Sequence, residues 1–371
     1  MATATRAVNI AVETLQVSAY TVPTDEPESD GTLEWDSTTI VVVEAHGGGE
    51  RGTGYTYGDL AVATLIRSKL AALVEGADAL APGAAWASMH AALRNAGQQG
   101  VGAMALSAVD ISLWDLKARL LGVALADLLP RFHRRVPVYG SGGFTSYSDD
   151  RLAEQLAGWV EQGIPRVKIK IGREPGRDPE RLAAARAAVG PETELMVDAN
   201  GAYDGREALE WAHRLRTEWN VTYLEEPLTS DDLEGLARLR ARSPAGLAIA
   251  AGEYAWGIHD CRRLLDAGAV DILQADVTRC GGITSLLGIE GLCRARSMPF
   301  SAHCAPAISA HACCAMESAI HIEYFHDHTR IEGMLFDGVQ DANDGFLEPD
   351  RERPGLGLEL RRSDASEFEV R

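Results

Sequence analysis

From about residue 136 onward the chain repeats one unit: a short β-rich run that closes in polar residues, then an amphipathic stretch rich in Ala, Leu, Arg and Glu. Eight such runs occur: VPVYGSGG (136–143), VKIKIG (167–172), ELMVDANG (194–201), VTYLEEP (221–227), LAIAAGEY (247–254), VDILQADVTRCGG (270–282), PFSAHC (299–304) and HIEYF (321–325). Their starts recur at a nearly even interval, long enough each time for one strand and one helix. Between them the spacing predicts helices near 150–163, 178–190, 205–217, 231–242, 258–268, 283–296 and 307–318, many opened by Asp, Ser or Pro. Alternating β and α elements with right-handed crossovers give a parallel sheet. Eight strands at this repeat suit a closed α/β barrel better than an open doubly wound sheet. No further helix of the same kind is expected after the eighth run.

The region that precedes these repeats reads differently. Strand-like runs (VNIAVETLQVSAYTVP and TTIVVVEAHGGG) flank an acidic loop, TDEPESDGTLEWDS, and helices are expected around 58–75, 86–97 and 100–121. The last of these is apolar on most sides and reads as a buried scaffold helix. The tail from about 345 returns to a polar, strand-like character and is expected to pack back on the N-terminal region. The resulting division is an α+β capping domain (1–130), a barrel domain (131–340) and a tail (341–371).

Charge and cysteine content narrow the function classes. With 35 Lys+Arg against 54 Asp+Glu the net charge is −19, which argues against nucleic-acid or anionic-membrane partners. No stretch approaches a membrane span, and the opening MATATRAVNIAVETLQV lacks a basic-then-apolar secretory layout, so a cytoplasmic protein is expected. All six cysteines fall after residue 260 without a C-x-x-C pair, which predicts reduced, buried thiols.

In a barrel, polar residues at the C-terminal ends of strands form the active site. The second run ends in Lys168-Ile-Lys170, whose two ammonium groups share a face. Buried together they are expected to depress each other's pKa, which makes a base; on a solvated edge they are ordinary lysines. The third, fourth and fifth runs end in Asp198, Glu225 (beside Glu226) and Glu253. Three carboxylates converging at successive strand ends repel unless a hard divalent cation such as Mg²⁺ joins them, and only one of Glu225 and Glu226 can point inward. Asp276 on the sixth run and His303 on the seventh form a possible dyad, with the Asp setting the imidazole tautomer. Glu323, in the apolar eighth run, either stabilises a developing oxyanion or pairs with one of the lysines.

Two other features are read as inert. Gly47-Gly48-Gly49-Glu50-Arg51-Gly52 fits a dinucleotide-loop pattern, but no helix follows, so it reads as a hairpin turn. His321, His326 and His328 read as surface or packing residues.

A metal, a lysine pair and a His–Asp pair together suit abstraction of the proton α to a carboxylate. In order and type these residues resemble the enolase superfamily, and within it the mandelate racemase subgroup, over nearly the whole chain. The resemblance implies a modified TIM barrel, (β/α)7β, with a capping domain built from the N-terminal region and C-terminal tail. It implies Lys170 as first base and Lys168 as its electrostatic partner. Asp198 in VDANG, Glu225 in LEEP and Glu253 in AGE become Mg²⁺ ligands, with the substrate-side Asn200 nearby. Asp276 and His303 match the family's dyad in type and in strand-six-to-seven spacing, and Glu323 matches the acid that supports the enolate. The resemblance further implies a small-molecule carboxylate substrate and a homo-oligomer.

By the same resemblance, two cap loops set specificity, here Asp25–Asp36 and Gly47–Tyr57. The first is acidic (Asp25, Glu26, Glu28, Asp30, Glu34, Asp36), which disfavours a second negative charge on the substrate. The first expectation is therefore dehydration of an aldonate-type sugar acid to a 2-keto-3-deoxy acid. A racemase, epimerase or cycloisomerase uses the same residues, and a non-catalytic metal-binding protein would be expected to have lost one of them.

Overall fold

The structure, a computed structural model, describes residues 10–370, so the part of the opening run before Ile10 lies outside the described residues. Three long antiparallel strands, β1 (Thr14–Ser29), β2 (Glu34–Gly47) and β3 (Glu50–Tyr57), form the N-terminal sheet. Helical segments then run over Leu60–Val74, Pro82–Ala92 and Val101–Leu120.

The eight repeated runs become parallel strands β4 (Val136–Gly142), β5 (Arg166–Lys170), β6 (Glu194–Asp198), β7 (Val221–Glu225), β8 (Ala248–Ala251), β9 (Ile272–Ala275), β10 (Phe300–Ala302) and β11 (Ala319–Phe325). They pair in sequence order, and β11 pairs with β4 to close the barrel. Four short strands come after the barrel strands: β12 (Phe336–Asp337), β13 (Phe346–Leu347), β14 (Glu359–Leu360) and β15 (Glu369–Val370). The last of them joins the edge of the N-terminal sheet through β1. No helix among the described residues is long and apolar enough to cross a membrane. All six cysteines are buried and unpaired.

Strand periodicity sorts the barrel residues onto two faces. Val138, Val167, Ile169, Leu195, Val197, Leu224, Ile249, Leu273 and Ile322 are buried in the main apolar cluster under the helices. The alternate positions point into the barrel, where Tyr139, Met196, Tyr223 and Ala250 form a separate small apolar plug. Lys168, Glu225 and Glu323, buried in the same inward series, put an ionic layer above that plug.

Helix Val101–Leu120 is the scaffold expected of it. It packs on β3 and on helix Gly282–Arg296, and so couples the N-terminal sheet to the barrel. The approach of β3 is close enough that a Cβ on Gly54 would lie 2.3 Å from the Ala108 carbonyl oxygen. Gly54→Ala is therefore expected to cost about 1–3 kcal/mol of stability, seen as a lower urea midpoint with an unchanged m-value.

One expectation fails here. A helix, His326–Leu335, does follow β11 directly. Long-range contacts hold it: Glu332 accepts from the Tyr55 hydroxyl, and Asp327 accepts from Thr38 Oγ1. Its short HDHTRIEGML pattern carried too little apolar periodicity to announce it.

Candidate active site

Six of the eight site residues sit at or just beyond a strand end, while Lys168 and Glu323 lie within β5 and β11. Lys170, Asp198 and Glu225 close β5, β6 and β7, while Glu253, Asp276 and His303 lie immediately past the ends of β8, β9 and β10. In-register pairing sets Lys170 beside Asp198, and Asp198 beside Glu225.

Asp198, Glu225 and Glu253 each present an oxygen within 4.8 Å of the others, and all three are buried. Glu225 Oε2 is buried without a hydrogen-bond donor. Buried oxygens left without donors are costly, and a hard oxygen-seeking divalent cation is the group that satisfies a carboxylate cluster of this kind. The residues present therefore fit Mg²⁺. Glu225 is the inward member of its pair; Glu226, with φ of 38°, turns away to accept from the Gly252 amide at 3.0 Å.

The two ammonium groups carry the compensating charge. Lys168 Nζ lies 2.5 Å from Glu225 Oε1, 2.8 Å from Glu323 Oε1 and 3.6 Å from Asp198 Oδ2. Lys170 Nζ lies 2.5 Å from Asp198 Oδ2. Alongside burial, Lys168 does depress the pKa of Lys170, as expected, but before a metal binds the neighbouring carboxylates outweigh that effect. Burial lowers both, but Glu225 and Glu323 hold Lys168 well above the usual lysine value, and Asp198 raises Lys170. Each lysine is nearer to a carboxylate than repulsion from its neighbour can offset.

Glu323 takes the ion-pair option of its two readings. Burial would raise its pKa, but Lys168 and His303 hold it below the ordinary carboxylate value. It also accepts from Ser141 Oγ at 2.6 Å and from the Cys304 amide at 3.1 Å.

His303 Nδ1 faces Asp276 Oδ2 at 2.9 Å, which leaves Nε2 to face Glu253 Oε2 at 3.2 Å. Asp276 Oδ1 is occupied by the amide and the hydroxyl of Thr278, both at 2.7 Å, so the carboxylate cannot swing away from the imidazole.

A cavity of about 720 Å³ opens above these groups, with Lys170, Asn200, Glu253 and His303 in its wall. A larger hollow, near the start of β4 around Arg131–Arg135, holds none of these groups. At the cavity mouth the expected cap loops need correction. The acidic segment is not a free loop: past an irregularity between Pro23 and Glu28 it returns to the β1–β2 ladder through Glu28–Trp35 and Ser29–Glu34, and the turn Asp30–Leu33 with Trp35 reaches the cavity.

Most of its charges are engaged elsewhere. Asp25 and Glu26 meet Arg151, Glu34 meets Arg173, and Glu28 accepts from Trp35 Nε1 at 2.8 Å. Of the six acids only Asp30 lines the cavity. Nor does the glycine turn cover the mouth: Gly48 packs by Ile10 and Leu120, while the far end of β3, at Tyr57, and the following Gly58 and Asp59 reach the cavity.

Sequence reasoning missed several wall residues. Trp35 and Thr38 arrive on the hairpin, Arg279 on the loop after β9, and Cys304 directly after His303. His328 belongs here too and not to the surface: it is buried, and its ring stacks on Tyr57 with centroids 3.4 Å apart. Arg279 alone carried a legible signal, since a cation shortly past a strand-end Asp falls at the catalytic face.

Comparison with known proteins gives two family matches: "Mandelate racemase / muconate lactonizing enzyme, N-terminal domain" over residues 9–130 and "Enolase C-terminal domain-like" over 151–365. A mandelate racemase/muconate lactonizing enzyme-like protein from Rubrobacter xylanophilus is 65% identical, with a TM-score of 0.96 over 97% of this chain and 100% of that one. D-galactarolactone cycloisomerase from Agrobacterium fabrum is 30% identical over 93% of this chain and 95% of its own length. L-talarate/galactarate dehydratase from Salmonella typhimurium LT2, solved with Mg and L-lyxarohydroxamate, is 28% identical with a TM-score of 0.90, covering 100% of this chain and 96% of that one.

Proposed function

The chain belongs to the mandelate racemase / muconate lactonizing enzyme family of the enolase superfamily, and we propose that it dehydrates an aldonate-type sugar acid to a 2-keto-3-deoxy acid. Relatives in this family are named as sugar-acid dehydratases and as cycloisomerases. The observation that carries the proposal is that Lys170 and His303, from the second and seventh barrel strands, open onto one cavity together with Asn200 and Glu253.

In this reading Asp198, Glu225 and Glu253 hold Mg²⁺. When bound, the ion supplies the positive charge an enediolate requires and engages the carboxylate charge that otherwise keeps Lys170 protonated. Lys170 and His303 address opposite faces of the α-carbon, one removing the α-proton and the other returning a proton to the departing β-hydroxyl, which leaves as water. Lys168 faces the growing negative charge on the substrate carboxylate, and its ion pair with Glu323 keeps it charged and in place. Asp276 presents His303 with Nε2 toward the substrate. Asn200, whose Oδ1 has no donor, accepts from a substrate hydroxyl. The acidic groups at the mouth, Asp30 and Asp59, favour a mono-acid whose far end is uncharged. The division into a capping unit (1–130), a barrel (131–340) and a tail (341–371) belongs to the same proposal.

The test incubates the protein with Mg²⁺ and a library of aldonates and aldarates in D₂O. A 2-keto-3-deoxy product from a mono-acid is expected. Deuteration at the α-carbon without water loss would make it a racemase or epimerase instead, faster turnover of diacids would remove the aldonate assignment, and no exchange with any acid would sink the mechanism.

Mg²⁺ is also expected to raise the melting temperature in proportion to the logarithm of its concentration, reaching about 2.7 kcal/mol of stabilisation at a hundredfold excess over Kd. Glu253→Gln should flatten that dependence in a calorimetric scan. A full shift in the variant would remove Glu253 from the ligand set.

A further inference from the structure

The cavity wall contains a cation that the mechanism above does not use. Arg279 lies on the loop after β9, its side chain is 24% exposed, and it lines the same cavity as Lys170 and His303. Its Nε is buried without any acceptor. The nearest carboxylate oxygen, Asp276 Oδ2, lies 3.7 Å away and already faces His303 Nδ1 at 2.9 Å. The other oxygen of Asp276 is taken by Thr278. A guanidinium offers five N–H donors in a rigid fork; with Nε turned inward, the terminal amino groups of Arg279 have no acceptor in the protein and are the donors left for a ligand in the cavity.

A second donor stands in the same wall. His328 is buried, and its Nδ1 accepts from the Ala305 amide at 3.3 Å, which leaves the ring hydrogen on Nε2. Burial pushes the imidazole pKa down to about 3, so the ring is a neutral, fixed donor. Tyr57, stacked on it with ring planes 8° apart, prevents it from turning.

Resting on the acid-sugar reading, we propose that Arg279 and His328 form a hydroxyl-binding subsite on the His303 side of the cavity, which reads the substrate chain beyond its reacting carbons. Arg279 is the specificity-determining member, because a forked donor grips adjacent hydroxyls of one configuration and loses them in the epimer. His328 fixes the height of the chain above the barrel. Asp30 and Asp59 at the rim complement this arrangement as acceptors for the same hydroxyls and repel a terminal carboxylate.

The test uses Arg279→Gln and Arg279→Lys in the full chain with Mg²⁺ present. Titration calorimetry compares pentonates and hexonates with their 4-deoxy analogues. The wild type is expected to bind the hydroxylated acid about 10- to 100-fold more tightly than the deoxy analogue. In Arg279→Gln that ratio should fall to about one, with the Mg²⁺-dependent rise in melting temperature retained as proof of an intact fold and metal site. Arg279→Lys, a point charge without the fork, should recover affinity but not discrimination between epimers at the same carbon.

A variant that keeps the wild-type ratio overturns the subsite while leaving the dehydratase reading standing. A variant that keeps the ratio but shifts the pH profile of α-proton exchange makes Arg279 a positioning residue for Asp276, which also overturns it. A wild type that binds no sugar acid overturns both.

Discussion

Lys170→Ala is expected to slow α-proton exchange in substrates of one configuration by about 10²- to 10⁴-fold, and His303→Asn to do the same for the opposite configuration. The basis is placement. The two side chains enter one cavity from strands on either side of the carboxylate cluster, and each is held by a carboxylate partner, Asp198 at 2.5 Å and Asp276 at 2.9 Å. Each variant should therefore block one face and spare the other. Proton exchange in D₂O followed by NMR reads both faces independently of water loss. If both variants exchanged the same enantiomer at the full rate, the two-base assignment would be wrong. If both lost both faces, the residues would act as one unit and not as opposed bases.

The second large effect concerns stability. In the metal-free protein Lys168, fully buried, is the nearest cationic side chain to two carboxylates, Glu225 at 2.5 Å and Glu323 at 2.8 Å. Lys168→Met keeps the volume and removes the charge, which leaves both anions unpaired. Breaking a buried pair on one side costs about 3–5 kcal/mol, and urea unfolding should show that loss.

The pH dependence has a definite sign. In the wild type the pKa of Glu323 is held below its unfolded value. Its pairing therefore stabilises the fold above that unfolded value and is lost as pH falls through the folded one. In the variant the unpaired carboxyls are relieved by protonation, so the deficit should shrink between pH 8 and pH 5. Adding Glu323→Gln to Lys168→Met should restore part of the loss at pH 8. An equal deficit at both pH values, with no rescue, would show that the layer is held by packing alone.

The barrel was legible because its signal is local. Period-two alternation within one short run separates Val167 and Ile169 from Lys168 and Lys170, and the turn that follows marks the strand end. The eight strands, the inward lysines and the carboxylates at successive strand ends all follow from such short windows. The acidic hairpin was not legible in this way. Its charges suggested a solvated loop, yet it extends the β1–β2 ladder, and Arg151 and Arg173 from the barrel helices and loops neutralise it. Those partners lie far along the chain, in the barrel, and no local pattern announces them.

The same distinction separates the two halves of the site. Residue type and strand position, both readable from sequence, determined which side chains gather at the C-terminal end of the barrel: Lys168, Lys170, Asp198, Glu225, Glu253, Asp276, His303 and Glu323. Tertiary structure alone decided what those side chains do to one another. Barrel closure through β11 and β4 brings Glu323 of the last barrel strand against Lys168 of the second, which makes the ion pair between them. It also decided that Tyr57 and His328 stack in the same wall as Arg279. Electrostatic coupling falls with distance in space and is indifferent to distance in sequence, so charge states and wall contacts appear only when the barrel is closed.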